Sequence, residues 1–243
     1  MILKVSNLHK NFGGIKALNG CSFEIKKGKI TAVIGPNGSG KSTMFDFISA
    51  LTEKDSGRVY FDSRDISKLK DFEIAILGIS RTFQDVKLFK NLSIKEHFDI
   101  VFDVGSENLL KSLFKSGRDN VSKIKEILNL VGLDKQLNTY ATDLSYGQRK
   151  LLDLAVAIAK PHSLLMLDEP VAGVNPALRE KIKVILRKLN EEGETVLLIE
   201  HDMNFVMDLA DYVVVLDEGK VLAEGKPKQI QNNRKVLEAY LGE

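Results

Sequence analysis

Apolar and polar side chains alternate in ILKVSNL, near the N-terminus, with the period of two that marks a strand buried on one face. CSFEI (Cys21 to Ile25) reads as a second strand, closed by a turn in KKGK around Gly28. The stretch between them, NFGGIKAL, fits neither a clean strand nor a helix. ITAVI (Ile30 to Ile34) differs: it is β-branched and apolar without alternation, the pattern of a parallel strand buried on both faces, and FDFISA beyond it can continue as helix. KDSGRVYFD predicts a turn at Ser56-Gly57 and a strand from Arg58 to Phe61. A short helix from about Lys70 to Leu77 precedes ISRTFQDVKLF, where an isolated Gln84 follows a strand-like run.

From Ser93 the period changes to that of a helix, opened by a capping box in which Ser93 and Glu96 satisfy each other's exposed N–H groups. Helical periodicity runs to Leu133, with interruptions near Gly105 and Gly117, and a second capping box pairs Ser145 with Gln148 in LSYGQ. The following QRKLLDLAVAIAK is apolar around most of its circumference and should be well buried. LLMLDEP, ALREKIKVILRKLNEEG, TVLLI, DMNFVMDLA and YVVVL then alternate strand with helix, the rhythm of a parallel sheet with crossover helices. A hairpin in DEGKVLAEG and a helical tail complete the pattern. The expected fold class is α/β: a mainly parallel sheet with an N-terminal antiparallel β subdomain (residues 1–87 and 161–243) and an all-helical insertion at about 88–160, together one domain over 1–243.

Composition narrows the partners. With 35 Lys and Arg against 33 Asp and Glu, the charge gives no electrostatic reason to expect nucleic acid. One cysteine, Cys21, excludes an internal disulfide and reads as a small buried hydrophobe. The first residues lack the apolar core of a signal peptide and no segment approaches a spanning helix, so the chain is expected in the cytoplasm, or on a membrane through a partner.

The chemistry centres on GPNGSGKST, which is Gly35, Pro36, Asn37, Gly38, Ser39, Gly40, Lys41, Ser42 and Thr43. The spacing G-x-x-x-x-G-K-[ST] between a buried strand and a helix is that of a phosphate loop. Backbone N–H groups and the helix N-terminus face a polyphosphate, and Gly35, Gly38 and Gly40 permit the close approach. Lys41, expected to be exposed before nucleotide arrives, reaches the β- and γ-phosphates. Ser42 offers a hydroxyl to Mg²⁺, and Thr43 a further bond to phosphate. Asp168 and Glu169 end an apolar strand at the carboxyl edge of the sheet, where ligands bind in open α/β folds: Asp168 suits Mg²⁺, and Glu169 an attacking water. His201 follows TVLLIE at another strand end and is either structural or a bridge between γ-phosphate and water. Phe12 is either a core residue or a stacking platform.

LSYGQ between a phosphate loop and LLMLDEP carries a resemblance over essentially the whole chain: it resembles the nucleotide-binding subunits of ATP-binding-cassette (ABC) transporters. The resemblance implies that ATP and Mg²⁺ are bound, Phe12 stacking on adenine and Gln84 sensing the γ-phosphate and Mg²⁺ beside a membrane partner. It implies that Ser145, Gly147 and Gln148 contact the γ-phosphate held by the opposite subunit of a head-to-tail dimer. Glu169 then polarises water, Asn175 lies in a dimer-contact loop and His201 is the switch histidine. Tyr146 replaces the commoner second signature glycine, Asn175 an aspartate, Phe12 a tyrosine and Val156 an arginine. RTFQ, YGQ, GVNP, IEHDM and the ending AYLGE are similar to the ATPase subunits of branched-chain amino-acid importers, with urea and short-amide importers as close relatives.

The expected partners are a second copy or paralogous ATPase subunit, integral-membrane permeases on whose inner face the chain sits, and an extracytoplasmic solute-binding protein. Phe83, Val86, Leu88 and Phe89 either receive a permease helix or pack within the subdomain. Two rival readings are a soluble cassette ATPase acting on nucleic acid or ribosomes, which the absent basic extensions and second cassette disfavour, and the ATPase of a lipid or lipopolysaccharide exporter.

Overall fold

Strands of two kinds divide the chain between two sheets. The computed structural model describes residues 1–53, 55–103 and 117–241. β1 (Leu3–Phe12), β2 (Ile15–Ile25), β4 (Ser56–Phe61) and β5 (Arg64–Asp65) form an antiparallel sheet in the order β2-β1-β4-β5. β3 (Ile30–Ile34), β6 (Ile79–Arg81), β7 (Leu164–Asp168), β8 (Val196–Ile199), β9 (Tyr212–Asp217) and β10 (Lys220–Gly225) form the other, in the order β10-β9-β3-β8-β7-β6. In this second sheet only the β9–β10 hairpin is antiparallel.

The unbroken apolar runs are explained by burial on both faces. Leu165, Leu167 and Leu198 join one core, while Leu164, Met166 and Leu197, one residue out of phase, join another. The first core continues into the helical insertion, made of α3 (Ile94–Asp103), α4 (Gly117–Val131) and α5 (Tyr146–Ala159), and is closed by α6 (Pro176–Glu191) and α7 (Met203–Leu209). The second lies under α1 (Lys41–Ile48), α2 (Asp71–Ile76) and the antiparallel sheet. Two short helices, α8 (Pro227–Gln231) and α9 (Arg234–Leu241), form the tail.

Both capping boxes form: the Ser93 N–H donates to Glu96 at 2.7 Å, and the Ser145 N–H to the Gln148 side chain at 3.0 Å. α4 begins at Gly117, one of the expected interruptions; the other, near Gly105, falls outside the described residues. Two expectations fail. NFGGIKAL is the tip of a long β1–β2 hairpin, with Phe12 and Ile15 paired across the Gly13-Gly14 turn. Three register shifts along that pair break the alternation that would have revealed it. Ser56-Gly57 is no turn but the start of β4. Gly57 has φ of 98°, and a Cβ there would collide with the Asn7 carbonyl, so the glycine serves a close strand crossing.

Candidate nucleotide site

β3 delivers the phosphate loop to the carboxyl edge of the parallel sheet, and α1 starts directly from it. A Cβ at Gly35 would strike the Leu216 carbonyl, and one at Gly40 the Ala17 carbonyl. Gly35 therefore lets the loop seat against β9 of its own sheet and Gly40 against β2 of the antiparallel sheet, whereas Gly38 faces open space. Gly219, in the β9–β10 turn, donates its N–H to the Ser39 carbonyl at 3.1 Å and pins the loop from behind. Pro36, Asn37, Gly38 and Ser39 line a surface pocket with Asp217, Glu218 and Glu238.

Lys41 departs from expectation. It is 6% exposed, and its Nζ donates to the carbonyls of Gly35 (2.7 Å) and Pro36 (2.8 Å). An ammonium drawn from water needs such acceptors, and the curled loop supplies them. Ser42 is exposed and Thr43 half-buried on the first turn of α1.

β6, β7 and β8 are neighbours, so the residues just beyond their ends meet. Glu169 Oε2 accepts from Gln84 Nε2 at 3.0 Å, and Glu169 Oε1 lies 2.8 Å from His201 Nε2. Glu169 adopts φ of 48°, a left-handed conformation costing a β-carbon residue about 1–2 kcal/mol. Such conformations persist where surrounding bonds over-determine them, and here the Glu169 N–H donates to Ile199 O at 3.0 Å.

Asp168 is buried, and burial pushes its carboxyl up while the Arg81 guanidinium opposes the rise. Arg81 donates to Asp168 Oδ2 at 3.0 Å, to Asp46 at 2.8 Å and to Ser49 Oγ at 2.7 Å. Asp168 Oδ1 is buried without a hydrogen-bond partner, an acceptor whose position fits a metal-bound water. Glu200 is also buried and its carboxyl is raised to about 7 by desolvation, while it accepts the N–H groups of Val171 and His201.

Lys150, on α5, is 5% exposed and donates to the carbonyls of Gln84 (2.9 Å) and Glu169 (3.1 Å). Sequence reasoning missed both Arg81 and Lys150. No local signal marked either one: Arg81 sits between Ser80 and Thr82, and Lys150 follows Gln148 and Arg149.

The signature residues lie elsewhere on the chain's surface. Ser145, Gly147 and Gln148 line a pocket of about 550 Å³ with Asn175, Leu178 and Lys181, and no phosphate-loop residue lines it. Tyr146 donates its hydroxyl to Ala172 O at 3.4 Å, tying the signature to the loop after β7. Asn175 caps α6 by accepting from the Leu178 N–H at 2.9 Å, a bond an aspartate would make equally well. Val156 packs half-buried against the larger core. Phe12 is 48% exposed beneath the Lys10 ammonium, which is 5.1 Å from its ring, so it is not a core residue. Among the four apolar residues around the Gln84 loop, Leu88 packs on the core while Phe89 is exposed beside His97.

Comparison with known proteins identifies the family. Residues 18–172 match the ABC transporter family, and residues 220–243 match a C-terminal model described as branched-chain amino acid ATP-binding cassette transporter. The chain is 40% identical to a probable branched-chain amino acid transport ATP-binding protein LivG of Archaeoglobus fulgidus, over 99% of this chain and 95% of that one. It is 38% identical to the high-affinity branched-chain amino acid transport ATP-binding protein BraF of Pseudomonas aeruginosa, over 100% and 98%. A solved ATP-binding cassette of an ABC transporter in its ADP conformation superposes with a TM-score of 0.86 at 36% identity, over 100% of this chain and 99% of that one. With a phosphate loop, a strand-end acid pair and a signature helix in one chain, the protein belongs to the ABC transporter family, as an ATP-hydrolysing cassette homologous to the ATP-binding proteins of branched-chain amino-acid importers.

Proposed function

We propose that this cassette powers uptake of branched-chain amino acids or related small solutes by closing head to tail on a second copy or a paralogous subunit around two ATP molecules. The observation that carries the reading is the separation of two half-sites: Lys41 and Glu169 belong to one edge of the chain, while Ser145 and Gly147 line a different pocket. Each half-site faces its complement only in a dimer. The N-terminus of α5 then presents N–H groups to the γ-phosphate on the opposite subunit, as helix N-termini do for anions.

Within each site Phe12 stacks on adenine and residues 35–43 wrap the phosphates. Lys41 exchanges its carbonyl partners for the β- and γ-phosphates. Ser42, Asp168 and Gln84 would hold Mg²⁺, which would neutralise charge on the β- and γ-phosphates. Glu169 orients the attacking water and accepts its proton, and His201 steadies that carboxylate. Loss of the γ-phosphate removes the contacts joining the halves, so hydrolysis becomes opening and closing. Among the described residues no helix is long and apolar enough to cross a membrane. In this reading the motion is delivered to integral-membrane permeases at the inner face, through the exposed Phe89 and the Gln84 loop, with an extracytoplasmic binding protein supplying solute.

Glu169→Gln tests the shared site. The amide should bind ATP, hydrolyse it very slowly and accumulate a dimer by light scattering at high protein and ATP concentrations, with monomer in ADP. Adding Ser145→Arg should abolish the dimer while ATP stays bound. A double variant that still dimerises, or a single variant that loses ATP, rejects the mechanism.

A further inference from the structure

Helix α5, which begins at the signature, is fastened along its length to the segment that ends in Gln84. Near its C-terminal end Lys160 Nζ donates to Ile79 O at 3.0 Å, and Ser80 Oγ donates to Ala157 O at 2.8 Å. Near its N-terminal end Lys150 Nζ donates to Gln84 O, and the same ammonium crosses to Glu169 O. Of these three side chains, Lys150 is the one whose bonds reach the acid as well as the Gln84 segment.

We infer that Lys150 is a positioning residue for ATP hydrolysis: its ammonium joins the backbone of Gln84 to that of Glu169 and thereby sets the two side chains that meet at 3.0 Å. The inference rests on the proposed roles of Gln84 and Glu169. Physical reasons favour more than passive packing. Glu169 holds a left-handed backbone, its N–H is bound to Ile199 O, and its carbonyl accepts from both the Ala172 N–H and Lys150, so the ammonium is one of three bonds that fix the backbone from which its side chain is aimed. An ammonium has three donors on one atom, and two diverge here to carbonyls 85 positions apart in sequence. Because α5 also carries Ser145, any displacement of the signature end by the opposite subunit's nucleotide moves both carbonyls together. Engagement at one site is thereby felt at the other site's acid.

The test is steady-state hydrolysis by the full chain, with ATP binding measured separately by calorimetry and folding by thermal unfolding. Lys150→Met fills the same volume without donors. It should lower kcat at least about tenfold, since a small misplacement of a reacting group can cost up to about a hundredfold, while the Kd for ATP stays within about threefold. Lys150→Arg keeps the charge but spreads its donors over a longer, rigid planar fork instead of one rotating atom, so it shifts the two carbonyls and should give an intermediate kcat. A wild-type kcat in Lys150→Met, or a loss of kcat matched by an equal loss of ATP binding, overturns the inference. Should Lys150→Met fail to fold, Lys150→Arg decides: lowered kcat at unchanged Kd supports positioning, and wild-type kcat overturns it. Glu169→Gln run in parallel separates the two levels. If it hydrolyses ATP normally, the site reading has failed. If it is inactive while Lys150→Met is normal, only the positioning role has failed.

Discussion

Glu169 Oε1 lies 2.8 Å from His201 Nε2 while Oε2 accepts from Gln84, so both oxygens of the acid are held by neighbouring side chains. A carboxylate that is to take a proton from water has to give up one of these contacts and keep its aim through the other; Gln84 and His201 are both exposed. His201→Ala should therefore disorient the acid and lower kcat about a hundredfold, at the lower end of what general acid–base groups contribute, with ATP affinity changed only a few-fold. Unchanged turnover would return His201 to a structural role.

Lys41→Ala should abolish ATPase activity and weaken ATP binding. Because the ammonium is buried against two loop carbonyls, the nucleotide-free protein should also lose about 1.5–3 kcal/mol, the range for hydrogen bonds to a charged group. Calorimetry reads the first effect and urea unfolding the second. Equal ATP binding in the two proteins sinks the assignment of the loop.

Phe12→Ala should cost about 1–3 kcal/mol of nucleotide binding, as for bases stacked on aromatic side chains, with little change in fold stability because the ring is already half exposed. A phenyl ring offers no polar readout of the base, so ATP and GTP should both bind. An unaltered affinity would exclude stacking.

Asp153, on α5, carries a carboxyl raised to about 7 by burial against the opposing pull of Lys150. An unfolded aspartate titrates near ~3.9, so between about pH 4 and 7 the folded chain holds more protons than the unfolded one, and this group's contribution to stability falls as pH rises. Asp153→Asn cannot ionise. Its stability relative to wild type should climb across that window and level off above it, by no more than about 4 kcal/mol, in urea unfolding at pH 5 and pH 8. A difference independent of pH would show that the carboxyl is not perturbed.

Much of the architecture was legible because it follows from short-range rules. Residues 35–43 specify their turn by glycine spacing, the capping boxes at Ser93 and Ser145 act over three positions, and apolar runs such as ITAVI and LLMLD announce burial on both faces. The β1–β2 hairpin and the role of Gly57 were not legible. Register shifts erase alternation, and a close crossing of two strands depends on a partner 50 residues away, Asn7.

The sequence by itself determined the nucleotide chemistry: a phosphate loop, a strand-end acid pair and a signature box each declare themselves within a few residues. The tertiary structure alone decided how those parts are coupled. Gln84, Glu169 and His201 come together because β6, β7 and β8 are adjacent in the sheet, strands in register standing about 4.8 Å apart. Arg81 and Lys150 acquire their roles in the same way, each reaching a partner more than 60 positions distant. So does Lys41, whose burial depends on the curl of the loop rather than on its composition. Local spacing encodes which atoms are available; strand order and helix packing, which sum many weak contacts over the whole chain, set which of them meet.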